Sequence, residues 1–113
     1  METKFNFKSQ VCTSIEQSRR LLELGLKKET ADMVWTHAYY STWAATVREN
    51  PLYFHEADED TIPAWSLHRL IEIVSHTQYS YYVISKELPI YDALCERIEW
   101  LIKEGYFNKE YLV

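Results

Sequence analysis

The residues best placed for chemistry in this chain are a histidine and a glutamate one helical turn apart, His68 and Glu72. A histidine exchanges a proton near neutral pH, and a neighbouring carboxylate can orient its ring. On a helix beginning near Pro63, Trp65 falls on the same face, so the three side chains could line a small polar and aromatic pocket. Histidine and glutamate at this spacing are more often a solvated surface pair, and we favour that interpretation.

A second candidate is a run of acidic residues that comprises His55, Glu56, Asp58 and Asp60. Carboxylates bind a hard cation when several oxygens converge, usually around a glycine that permits a sharp turn, and this run contains no glycine. We therefore favour a solvated loop that also stabilises the N-terminus of the next helix. The alternative hypothesis is a small-ligand-binding or metal-dependent enzyme that uses His37, His68 and Glu72 or the acidic loop 55–60.

Motifs for covalent or phosphate chemistry are absent from the sequence. There is no Gly-x-Ser-x-Gly elbow, no glycine-rich phosphate loop and no His-Glu-x-x-His zinc motif. Cys12 precedes a predicted helix, where a thiolate would be stabilised, and His37 could be its base, but no pattern brings the two together. We predict no catalytic residue, no metal and no cofactor. The absence of these motifs favours a protein that is not an enzyme.

The aromatic residues give the leading hypothesis, because the chain holds nine tyrosines and four tryptophans. Tyrosine and tryptophan combine a large apolar ring with a polar group, which suits them to half-exposed interfaces. The sequence thus predicts a non-enzymatic protein that binds a protein partner or itself through an aromatic contact face. The predicted contact residues are Trp35, Tyr39, Tyr40, Trp65, Tyr81, Tyr82 and Trp100.

Trp100 is the most unusual of these residues, since it lies opposite the apolar stripe of the last predicted helix. Burying an aromatic side chain of this size is worth about 2–3 kcal/mol, so a cover for the ring is expected. The nearby Tyr106, Phe107 and Tyr111 could provide that cover within the chain, or a partner could provide it.

Composition excludes several classes of protein. A length of 113 residues fits a single domain, residues 1–113. The net charge of −5 disfavours nucleic-acid binding, which needs a basic surface. The sequence has neither a signal-peptide core nor an apolar stretch of the roughly 20 residues that span a bilayer. Two widely spaced cysteines then suggest a cytoplasmic protein with reduced thiols.

The periodicity predicts an α+β fold in which three helices pack on a small antiparallel sheet. Helices are expected near 14–24, 63–75 and 90–104, strands near 33–40 and 79–85, and little regular structure across 44–60. Thr13 with Glu16 and Ser14 with Gln17 are overlapping capping boxes at the start of the first helix. Gly25 is expected to end it in a Schellman motif.

Four segments, 13–26, 29–33, 62–67 and 100–106, resemble a family of small uncharacterised proteins carried by phages and mobile elements of gut bacteria. They span most of the first and parts of the second and last predicted helices, whereas residues 34–60 depart from the pattern. The resemblance implies an intracellular accessory role. It implies no activity and no catalytic residue.

Overall fold

The computed structural model describes residues 10–37, 43–47, 61–75 and 88–113. Within these residues lie three α-helices, three strands and two 3₁₀ turns. The α-helices are α1 (Ile15–Glu23), α2 (Leu67–Ser75) and α3 (Ile90–Lys103), and the strands are β1 (Met33–His37), β2 (Trp43–Val47) and β3 (Ile62–Ala64). The 3₁₀ turns are Lys28–Thr30 and Lys109–Tyr111. The predicted α+β class is confirmed.

Both ends of α1 form as predicted from local sequence. The Ser14 Oγ accepts from the Gln17 amide at 3.1 Å, and the Gln17 side chain accepts from the Ser14 amide at 2.9 Å. At the other end Gly25 adopts a φ of +100°, and the Leu26 amide donates to the Leu21 carbonyl at 3.1 Å. The overlapping box predicted for Thr13 and Glu16 is wrong, because the Thr13 side chain instead bonds to the Ser18 hydroxyl and accepts from the Trp65 amide.

The three strands form an antiparallel sheet in the order β2-β1-β3. Strand β1 confirms the prediction over residues 33–37, and the remainder of that predicted strand lies outside the described residues. The expectation of little regular structure is wrong at residues 44–47, which form β2 together with Trp43 and pair along the whole of β1. Ala44 and Ala45 have no strong preference for a strand, so the backbone pairing of β2 with β1 decides the conformation. The strand predicted at 79–85 lies outside the described residues.

The start of the second helix also differs from the prediction. Residues Ile62–Ala64 form β3, with Pro63 opposite Val34 of β1, and α2 begins at Leu67. Proline is tolerated in a strand at a sheet edge as well as in the first turn of a helix, so the sequence was compatible with both. Pairing with β1 favours the strand.

The core lies where α1, α2 and α3 meet around Trp65. Its largest fully buried side chains include Trp65, Leu21, Leu70, Leu94 and Leu101. The apolar stripe predicted on the last helix is confirmed as the buried face of α3. In the part of the chain that the structure describes, none of the helices has both the length and the apolar character needed to cross a bilayer.

The C-terminal segment completes this core. Phe107 is buried, and a bridge pairs Leu112 with Leu26. The Lys27 amide donates to the Tyr111 carbonyl, and the Val113 amide donates to the Gly25 carbonyl, each at 2.7 Å. The turn that ends α1 is therefore held by residues that follow α3.

Candidate functional site

Trp65 belongs to the core and not to a contact face. Its side chain is fully buried, and the indole Nε1 donates to the Thr30 Oγ1 at 2.9 Å. It precedes α2, so it does not share a helix face with His68 and Glu72 as the sequence suggested. The pocket predicted from these three residues is therefore wrong, because the helix begins at Leu67, after Trp65.

His68 and Glu72 form a pair at the protein surface. The His68 Nε2 lies 3.4 Å from the Glu72 Oε1, and the two side chains are 84% and 44% exposed. Arg69 Nε lies 3.4 Å from the same oxygen. This arrangement matches the solvated interpretation of the spacing.

Four of the predicted contact residues, Tyr39, Tyr40, Tyr81 and Tyr82, lie outside the described residues, as does the acidic loop 55–60. Among the described residues, no group of three or more histidine, cysteine or carboxylate side chains could hold a metal ion.

The N-terminus of α2 is capped by Ser66, the residue before the helix, and by side chains from two other parts of the chain, Asp32 and Tyr91. Asp32 accepts from the Ser66 amide at 2.8 Å and from the Ser66 hydroxyl. The Tyr91 hydroxyl accepts from the Leu67 amide at 3.1 Å, and Ser66 Oγ accepts from the Arg69 amide at 3.2 Å. Amides of this kind can bind an anionic ligand, but here the protein's own oxygens occupy them. The serine before Leu67 was the available sequence signal for this cap.

Both cysteines are free, and both are poor nucleophiles. Burial and, secondarily, the charge of Asp32 raise the pKa of Cys12 to about 11. Burial and the charge of Asp92 raise the pKa of Cys95 to about 12. Since the thiolate is the reactive form, the hypothesis of a nucleophilic Cys12 is disfavoured.

Trp35 is half-buried and tied to the N-terminal segment. Its indole Nε1 donates to the Thr13 carbonyl at 2.9 Å. The polar group that would serve a partner is therefore already bonded within the chain.

Among the predicted contact residues that the structure describes, Trp100 is the most exposed, with 39% of its area accessible to solvent. The Arg97 guanidinium lies 4.5 Å from the centroid of its ring. The ring of Tyr106, itself 40% exposed, lies 5.8 Å away at an angle of 31°. We call these three residues, Arg97, Trp100 and Tyr106, the Trp100 patch.

The expected cover of Trp100 within the chain is confirmed for Tyr106. Phe107 and Tyr111 instead pack edge to face with each other, at 6.2 Å, against the core. Arg97 was missed by the sequence reasoning, although its position one turn before Trp100 on the same helix is the signal for such a contact.

The turn after α3 fixes Tyr106 beside Trp100. Gly105 has a φ of +79°, its amide donates to the Ile102 carbonyl at 3.2 Å, and the Tyr106 amide donates to the Leu101 carbonyl at 2.9 Å. This is a second Schellman ending. Phe107, the residue that follows Tyr106, is buried in the core and so anchors the chain after the turn.

The chain matches no known protein family, no curated protein and no solved structure. The function therefore has to be inferred from the geometry of the site.

Proposed function

We propose that the protein acts by binding a protein partner through the Trp100 patch. The observation that supports this is the partial exposure of Trp100 on α3, where Arg97 and Tyr106 both lie against its ring. Tryptophan, tyrosine and arginine are the residue types most enriched among those that dominate protein interfaces. Arg97 and Tyr106 each contact Trp100, so the three residues form a small patch with that composition.

The patch is also held in place before any partner arrives. α3 supplies Arg97 and Trp100, and the Gly105 turn supplies Tyr106, so little side-chain freedom remains to be lost on binding. Ordering a flexible side chain at an interface costs about 0.5–1.5 kcal/mol, and a preformed patch avoids much of that cost.

The proposed setting is the cytoplasm, where the two free thiols would stay reduced. If the resemblance to proteins of phages and mobile elements reflects a common origin, the partner is encoded by the same element or by its host. The contact then serves an accessory role and requires no catalysis by this chain.

Photo-cross-linking in the cells that make the protein tests the proposal. A benzophenone amino acid replaces Glu104, which is exposed and lies one turn beyond Trp100. We expect one adduct of defined mass that disappears when Trp100→Ala is added. The matched control carries the same cross-linker at Glu16 on α1, which is exposed on a different helix. The proposal is wrong if Glu104 yields no adduct, or if Trp100→Ala leaves the yield unchanged.

A further inference from the structure

The exposed face of α3 carries a charge pattern that can pair with itself. Glu96, Trp100 and Lys103 follow one another at intervals of four and three residues, so they form one stripe. All three are exposed. The stripe therefore has a negative end, an aromatic centre and a positive end.

From this pattern we infer that the occupant of the Trp100 patch is a second copy of the same chain, packed with its α3 antiparallel to the first. The inference rests on the proposed function, because it names the partner of the same patch. A twofold axis perpendicular to α3, midway between Glu99 and Trp100, places Glu96 of each copy opposite Lys103 of the other. It also brings the two Trp100 rings together beside the axis. Such an interface is self-complementary, as a symmetric dimer requires.

The charges at the two ends are available for this exchange. Glu96 has no ion-pair partner within the described part of the chain. Lys103 Nζ lies 2.9 Å from Glu99 Oε1, but the lysine side chain remains 64% exposed. Arg20 also binds Glu99, so that carboxylate keeps a cation if Lys103 turns towards the second copy.

The net charge of −5 on each copy opposes association only weakly at physiological salt. Charges separated by more than about 8 Å are largely screened there, whereas opposite charges in direct contact are not. The local complementarity of Glu96 and Lys103 thus governs the contact.

Sedimentation of the purified chain between about 10 μM and 1 mM tests the inference. We expect the apparent mass to rise from 13.5 kDa towards twice that value. Either Glu96→Lys or Lys103→Glu alone puts like charges opposite each other at both of the symmetry-related contacts. We expect this to weaken the dimer about tenfold. The double variant restores the pairing in reverse and recovers an affinity within about threefold of the wild type.

Charge variants away from the stripe serve as controls, since Glu16→Lys and Lys109→Glu make the same changes on other exposed surfaces. They leave the dimer unchanged, and circular dichroism checks that every variant folds. A folded wild-type chain that stays at 13.5 kDa throughout overturns the inference, as does a double variant no tighter than the singles. In either case an adduct from Glu104 to a different protein still supports the proposed function, which distinguishes the two failures.

Discussion

Thr13 and Trp65 exchange two hydrogen bonds through the interior of the protein. The Thr13 amide donates to the Trp65 carbonyl at 2.8 Å, and the Trp65 amide donates to the Thr13 Oγ1 at 3.0 Å. Thr13 Oγ1 also shares a 2.7 Å hydrogen bond with the Ser18 hydroxyl. All three residues are fully buried, so water cannot replace any of these partners.

Thr13→Val should therefore destabilise the fold more than its small change in shape suggests. The substitution leaves the Trp65 amide without its acceptor, which costs about 1–3 kcal/mol. Urea denaturation followed by circular dichroism measures the loss. Thr13→Ser keeps the hydroxyl and loses only the methyl, so it should lose clearly less. A Thr13→Val variant that is as stable as Thr13→Ser would show that the hydrogen bond contributes little.

The same substitution in two tryptophans should separate the core from the surface patch. Trp65→Phe removes the bond to Thr30 and leaves space in the core, so we expect a loss of about 2 kcal/mol. Trp100→Phe should change the free energy of unfolding by less than about 0.5 kcal/mol, as is usual for exposed positions. Thermal or urea unfolding of both variants provides the comparison. A similar loss for Trp100→Phe would place that ring in the fold and remove it from the proposed contact.

Gly105→Ala tests whether the turn after α3 requires the backbone of glycine. An added Cβ would meet no atom within 4 Å, so the cost comes only from the positive φ of +79°. For an L-residue that cost is about 1 kcal/mol. Gly105→Asn should lose less, because asparagine tolerates this conformation better. A Gly105→Ala variant as stable as the wild type would contradict the assigned turn.

The ion pairs of Glu99 should make the stability depend on acid pH. Hydrogen bonds from Lys103 and Arg20, in that order, lower the pKa of the Glu99 carboxyl in the folded protein. Its contribution to stability is therefore complete above the pKa of the unfolded chain, and it is lost as the pH falls through the lower folded value. Urea midpoints measured from pH 7 to pH 3 should fall less steeply in Glu99→Gln than in the wild type. Glu16→Gln, at an exposed position on α1 outside the proposed contact, is the control. Parallel curves for wild type and Glu99→Gln would refute the assignment.

The features that sequence predicted are those encoded within a few residues. Ser14 with Gln17 and Gly25 specify the two ends of α1 locally, and the structure forms both. The stripe of α3 also follows from spacing alone, which is why Trp100 was correctly placed opposite the core. Local capping chemistry and helical periodicity need no knowledge of the remaining chain.

The features that sequence missed depend on distant partners. Residues Ile62–Ala64 suit a helix start or an edge strand, and only pairing with β1 selects the strand. That choice moves Trp65 out of α2 and into the core, which removes it from the predicted contact face. Thr13 was expected to cap a helix, yet its partner Trp65 is 52 residues away. Spacing along the chain could not show these relations.

The pairing of Leu26 with Leu112 has a consequence for synthesis of the protein. A ribosome releases the chain from its N-terminus, so α1 emerges long before the residues that hold its closing turn. Gly25 must wait for Val113, and Leu26 for Leu112, before these bonds can form. Until residues 111–113 have been made, the turn after α1 therefore lacks the hydrogen bonds and the bridge that hold it in the folded protein.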